Sequence, residues 1–399
     1  ASFSPDGTQV VTTADDGMAR VWDLKRDTLN PFKGHKQIAW SGRFSSNVTQ
    51  VVTASEDGTV RVWDLKTGTS TLLEGHEQKV INASFSPDGT QVVTASRDGT
   101  VRVWDLKTGT STSLEGHEQE VGNASFSPDG TQVVTVPSLD GTARVWDLQS
   151  GTSTPLEGHE QGMYDASFSP DGTQVVTTSR EGTARIWDLE SRTSTPLEGH
   201  EQEVKSASFS PDGTQVVITS REGVTAQVWD LKTSTFNLLE GHEKEIIHAS
   251  FSPDGTQVVT ASWDETARVW DLENSTSIPL DGHEQAVTYA LFSPDGTQVV
   301  TASSDGTARV WDLKGRQLAI FEIAFGNLFN FPFVNLSSDG QRVTAMQNGK
   351  ILTHEILTLP ELLDWGCQWL DNYLKYGPVT DADRELCGLP PRDDSTHSD

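Results

Sequence analysis

Cysteine is nearly absent: the 399 residues hold two, Cys367 and Cys387, both near the C-terminal end. Two thiols outside the main body cannot make a disulfide framework, which fits a reducing compartment and a cytoplasmic location. Long apolar runs are missing too. Nothing approaches the roughly 20 apolar residues that a membrane-spanning helix needs. Basic side chains are scarce, 29 against 57 acidic ones, for a formal net charge of −28. That excess repels phosphate backbones and anionic lipid, so neither nucleic acid nor a membrane surface is expected as a partner. Neither a signal peptide nor an initial Met is present. The opening Ala1-Ser2-Phe3-Ser4 lies inside a motif that recurs downstream. The chain therefore reads as a fragment whose upstream part carries the parent's main activity. Phosphate loops of the Gly-x4-Gly-Lys-Ser/Thr and Gly-x-Gly-x-x-Gly types are also lacking, so any NTPase activity would lie upstream.

What the sequence has in abundance is repetition. Trp-Asp pairs begin at Trp22, Trp63, Trp104, Trp146, Trp187, Trp229, Trp270 and Trp311, spaced by 41 or 42 residues. Gly-His pairs fall between them, with histidines at His35, His76, His117, His159, His200, His242 and His283. A single Trp-Asp would carry no information; a near-constant period does. Each period reads as four short strands. Val80 to Phe85 is an apolar-rich run closed by Ser86-Pro87-Asp88-Gly89, and Pro followed by Asp-Gly is turn chemistry. Gln91 to Ala95 is β-branched. Arg97-Asp98-Gly99 turns again, Thr100 to Trp104 alternates with period two, and Thr110 to Leu114 makes a weaker fourth strand. Four strands joined by tight turns form an antiparallel meander. One such sheet is too small to stand alone, so the repeats must stack face to face.

These motifs resemble the WD-repeat β-propeller family across about residues 1 to 357. The resemblance implies an all-β fold of four-stranded antiparallel blades, seven or eight in number. Eight units carry Trp-Asp. A degenerate ninth runs through Val334 to Ala345, with His354-Glu355 where Trp-Asp would stand. A seven-bladed ring from the third to the ninth unit is favoured, with residues 1–64 a remnant of an upstream propeller; a ring of eight or more is the alternative. Beyond residue 357, Leu359, Leu362, Leu363, Trp369, Leu370 and Tyr373 take helical spacing, and Thr380 with Asp383 looks like a capping box. A helical cap is expected over 358–390, and a disordered tail over 391–399. Segments Trp365 to Leu370 and Asp383 to Cys387 resemble the tail that ends WD-repeat arrays in bacterial NACHT-type (STAND) multidomain proteins. That likeness implies an upstream NTPase domain in the parent.

Each unit contains His, Ser or Thr, and Asp, the inventory of a hydrolase triad. The set recurs around the array, whereas catalysis needs one site, and no Gly-x-Ser-x-Gly elbow is present. The family resemblance implies instead a structural tetrad in each blade. Its members would be His35, Ser55, Asp57 and Trp63; His76, Ser96, Asp98 and Trp104; His242, Ser262, Asp264 and Trp270; His283, Ser303, Asp305 and Trp311. Glu181 and Glu222 replace the aspartate in two units, Ala14 replaces the first serine, and an extra residue near Pro137 blurs the fourth unit; weaker networks are expected there. His242-Glu243 with His248 has the wrong spacing for a zinc helix. No cofactor, metal or catalytic residue is assigned.

Difference between the copies is concentrated in a few slots. One precedes the tetrad acid: Asp15, Glu56, Arg97, Leu139, Arg180, Arg221, Trp263, Ser304. A second lies five residues after each Gly-His histidine: Trp40, Ile81, Gly122, Tyr164, Lys205, Ile247, Thr288. Its neighbour reads Ser41, Asn82, Asn123, Asp165, Ser206, His248, Tyr289. In a meander the turn between strands two and three lies at the same end as the entry to strand one, so these slots share a face. Trp, Tyr and Arg are the residue types of interface hot spots. Free drift would favour small polar residues and equal variation on the opposite face. Trp40, Arg97, Tyr164, Arg180, Arg221, Trp263 and Tyr289 are therefore expected to bind a protein partner. Glu74, Glu77, Glu115 and Glu118 would form an acidic rim. The chain reads as a non-catalytic sensor or scaffold of a larger signalling protein; rivals are a scaffold held by blade edges or the helical tail, and an enzyme in the central channel.

Overall fold

Each 41- or 42-residue period folds as one antiparallel meander. In a computed structural model the described residues are 2–4, 9–13, 17–23, 28–137, 142–159, 162–199, 203–293, 295–322, 334–336, 342–347 and 350–355. The calls of a helical cap over 358–390 and a tail over 391–399 fall outside them, as do Asp15, Leu139 and His200. Contacts divide the chain into Ala1–Thr353 and His354–Asp399. Among the described residues there are eight four-stranded sheets and one of three strands, each in sequence order. The third sheet is representative: Val80–Phe85 innermost, then Gln91–Ser96, Val101–Asp105 and Ser111–Leu114 at the outer edge. The three-stranded sheet is the degenerate ninth unit, Val334–Leu336, Arg342–Gln347 and Lys350–Glu355.

The second strand is buried along nearly its whole length because both of its faces meet other blades. Val92 and Trp104 pack against Val52, Val60 and Leu73 of the preceding blade. Val93, Ala95 and Val103 pack against Val121, Val133 and Trp146 of the following one. This is why Val-Val-Thr-Ala recurs as a continuously buried run without polar–apolar alternation. Consecutive sheets contact each other from the first to the ninth, second strand against the next inner strand. The core is thus a series of slabs, each shared between two blades, as stacked repeats require.

Turns follow the chemistry. Ser86 Oγ donates to Asp88 and accepts from the Gln91 amide, while Asp88 accepts from the Thr90 amide. Gly89, at φ +71°, occupies the left-handed position that closes this turn.

Candidate functional site

A β-bulge interrupts the inner strand of the second to eighth blades at the same place. In the third blade Ser96 pairs with Val80 and Ala95 with Asn82, so Ile81 is the extra residue. The skipped residue is Trp40 in the second blade, Gly122 in the fourth and Tyr164 in the fifth. It is Lys205, Ile247 and Thr288 in the sixth, seventh and eighth. The variable slot five residues after each histidine is thus the bulged residue itself. A bulge re-aims a side chain off the regular pleat. It also frees that residue from a cross-strand partner, which lets it vary.

The turn slot sits beside it. The Arg97 amide donates to the Lys79 carbonyl, Arg180 to Gly162, Arg221 to Glu203 and Trp263 to Glu245, all within 3.0 Å. Each bond ties the turn between strands two and three to the residue just before the inner strand. Trp40, Arg97, Tyr164, Arg180, Arg221 and Trp263 accordingly stand at the same end of their blades. Tyr289 does not stand with them. Its ring packs on His248 with centroids 4.2 Å apart, and burial pushes its hydroxyl pKa up. It is turned into the inner-strand packing, because its slot is one residue past the bulge and has returned to the pleat.

Slot residues engage their neighbours. Arg97 Nε lies 2.8 Å from Glu120 of the next blade. The Tyr164 hydroxyl donates to Glu203 at 2.5 Å, and Arg221 pairs with the same carboxylate at 3.1 Å. Lys205 Nζ lies 2.9 Å from Glu245. The Lys79 ammonium sits 3.4 Å from the Trp40 ring centroid, and the Arg180 guanidinium 5.3 Å from that of Tyr164. The partners Lys79, Glu120, Glu203 and Glu245 occupy a third variable column, three residues after the Gly-His histidine. Sequence reasoning missed it, although column-by-column comparison of the repeats contains the signal: Ile38, Lys79, Glu120, Gly162, Glu203, Glu245, Ala286.

The blade-internal polar network also takes a different form from the one expected. In the third blade Trp104 Nε1 donates to Thr94 Oγ1 at 2.9 Å, and His76 Nε2 lies 2.7 Å from the same oxygen. His76 Nδ1 is 3.0 Å from Asp98. The shared hydroxyl is therefore that of Thr94, not Ser96. Likewise it is Thr53, Thr260 and Thr301, rather than Ser55, Ser262 and Ser303, that meet Trp63, Trp270 and Trp311. The reason is register. Trp104 pairs across the sheet with Val92, so Thr94 is its diagonal neighbour and Ser96 lies one step further. Ser96 serves the turn instead, donating to the Lys79 carbonyl and accepting from the Asp98 amide. His35, His242 and His283 keep their carboxylates at 3.4, 2.7 and 2.8 Å. Glu181, expected to weaken the fifth blade, holds His159 at 2.7 Å.

With the indole N–H donating to the threonine, the threonine hydroxyl donates to Nε2 at 2.7 Å in preference to the Arg102 carbonyl at 3.3 Å, and Nδ1–H then donates to the carboxylate. That arrangement suits a neutral histidine. Burial holds the pKa of His76, His159, His242 and His283 below the ordinary value, against the upward pull of the neighbouring carboxylates. Desolvation works to raise the Asp98 carboxyl, but hydrogen bonds from Thr100 and Glu77 outweigh it and hold it down to about 2. Every group in the network is already engaged within the blade, so it has the chemistry of a brace. Among the described residues no group of three or more His, Cys, Asp or Glu could hold a metal ion, and no helix is long and apolar enough to cross a membrane.

Residues 79–355 match the family described as the IFT122 first beta-propeller, and residues 1–23 and 26–64 match the WD domain, G-beta repeat. None of the curated proteins matches the chain.

Proposed function

Because the chain belongs to the WD-repeat β-propeller family, whose domains generally mediate protein–protein interaction and are typically non-enzymatic, we propose that it is a recognition module holding a protein partner on the end where its variable slots gather. The observation that carries this reading is the coincidence of sequence variation with the bulge. A near-identical scaffold repeats, and the residue released from the pleat is the one that changes. Aromatic and arginine side chains at that end supply the contact types that dominate interfaces. In this reading the propeller is the sensor or scaffold of a larger cytoplasmic signalling protein, with an NTPase domain in the parent chain.

The test is affinity capture followed by mass spectrometry. The parent is compared with a variant in which Trp40, Arg97, Tyr164, Arg180, Arg221 and Trp263 are all changed to Ser, after matching thermal midpoints. Partners lost only from the variant are the expected result. An unchanged set of partners overturns it. A second reading would then gain: a scaffold held by its outer strands, where Phe236, Leu238, Leu318 and Ile320 are exposed on the sixth and eighth blades.

A further inference from the structure

Three slot aromatics stand at the variable end, and two already hold a cation. Lys79 lies over Trp40, and Arg180 over Tyr164. Trp263, on the turn between the second and third strands of the seventh blade, is 52% exposed. Among the described residues nothing cationic lies over its ring and no aromatic packs on it. A second feature marks the same turn. Glu265 takes φ +75°, where the second, third, fifth and eighth blades have Gly58, Gly99, Gly182 and Gly306. A side chain is disfavoured in that region, and such strain gathers at functional sites. The Glu265 carboxylate is exposed and makes no hydrogen bond or ion pair among the described residues. Glu243 is exposed as well, and its amide is bound to Asp264 of the same turn at 2.9 Å. Among the described residues Lys244, between Glu243 and Glu245, makes no ion pair and does not lie over the ring. The other nearby cation, Lys205, is engaged by Glu245.

We propose that Trp263, flanked by Glu265 and Glu243, is a subsite for a cationic side chain, lysine or arginine, presented by a basic segment of the partner protein. The proposal rests on the partner-face reading above and names the partner's chemistry. The indole face attracts a cation through its quadrupole. The two carboxylates neutralise that cation without competing for the ring. The chain's net charge of −28 steers a basic segment towards it. Trp40 and Tyr164 show the same contact made within the chain.

The test uses the full chain and a fluorescein-labelled decalysine peptide, followed by anisotropy at roughly 0.15 M salt. Trp263→Ala changes no charge, so bulk attraction is constant. It should weaken binding about two- to fivefold, the range a cation–π contact at an exposed site supports. Trp263→Phe should fall between parent and Ala. Glu265→Gln should weaken binding more than Glu190→Gln, a control on an exposed turn at the other end of its blade. Unchanged affinity in Trp263→Ala overturns the subsite, as does equal loss from the two glutamate variants or no binding by the parent. If Trp263→Ala binds the peptide normally while the six-serine variant loses its partners, only the subsite falls. If the six-serine variant keeps its partners, the face itself is wrong.

Discussion

The third and sixth blades have the same strands in the same order, yet their tryptophans are satisfied differently. In the third, Trp104 donates to Thr94, and Arg102, on the same strand as Trp104, reaches Ser111 at 3.4 Å. In the sixth, Ile218 replaces the threonine, Gln227 the arginine and Phe236 the serine. Trp229 Nε1 then donates to Gln227 Oε1 at 2.9 Å, and Gln227 Nε2 to the Gly199 carbonyl at 2.8 Å. Phe236 packs on the indole with centroids 4.8 Å apart. Ile218 and Gln227 face each other directly across the ladder. Together the three changes give the indole a second way to be satisfied. What is constant across the second to eighth blades is the satisfied indole N–H, because leaving it buried and unpaired costs about 1–3 kcal/mol; the residue that satisfies it is free to change.

The sharpest way to break this comparison is to transplant it in part. Thr94→Ile in the third blade removes the acceptor of Trp104 and the partner of His76 Nε2 together. It should cost about 2–5 kcal/mol, from two stranded polar groups and added bulk. Adding Arg102→Gln and Ser111→Phe should recover much of that loss, since a glutamine there can accept from Trp104 and donate to the Gly75 carbonyl, as Gln227 does with Gly199. Denaturant midpoints of the single and triple variants measure the coupling directly. A triple variant no more stable than Thr94→Ile would mean that the sixth blade's substitutions do not compensate one another.

Fold and network were legible to different depths. The four-strand period could be read because Ser-Pro-Asp-Gly and Asp-Gly-Thr dictate turns locally, and because Val-Val-Thr-Ala is rich in β-branched residues. The choice between Thr94 and Ser96 could not. Both lie on the same side of one strand, and only cross-strand register decides which one Trp104 reaches. Nor was the bulge visible, since an extra residue in every repeat leaves the period unchanged. Tyr289 was misplaced for that reason: one residue past the bulge, it points back into the packing. The column of Lys79, Glu120, Glu203 and Glu245 escaped because its meaning lies in contacts mostly between adjacent blades.

Acid acts on each blade that keeps its histidine buried, with a smaller effect apiece. Burial lowers the pKa of His35, His76, His159, His242 and His283, so the unfolded chain takes up protons first as the pH falls. The stability they contribute is complete above the ordinary histidine pKa of about 6.5 and declines as the pH drops below it. Asp98, held at about 2, keeps its contribution until the pH falls below the usual aspartate value, and loses it through about 2. Thermal midpoints should therefore be level from pH 8 to 7 and fall between 6.5 and 5. His76→Gln, starting lower, should fall less steeply. A midpoint unchanged between pH 7 and 5 would contradict the buried neutral histidines.

The smallest expected effect compares the seventh blade's turn with its neighbours. Gly58, Gly99 and Gly306 occupy the left-handed position at φ +77°, +79° and +84°, and Glu265 occupies it at +75°. Glycine adopts that conformation without steric penalty, whereas a side chain there costs roughly 1–2 kcal/mol. Part of the difference is offset because glycine makes the unfolded chain more flexible. Glu265→Gly should thus stabilise the protein by about 0.5–1 kcal/mol, read as a higher denaturant midpoint with an unchanged slope. The same substitution removes a carboxylate from beside Trp263, so the more stable variant should hold the decalysine peptide less well. Strain retained where it weakens the fold but aids recognition is the trade expected of a functional turn. A variant that gains stability and loses no affinity would mean that Glu265 is an accident of the repeat, and that Trp263 acts without it.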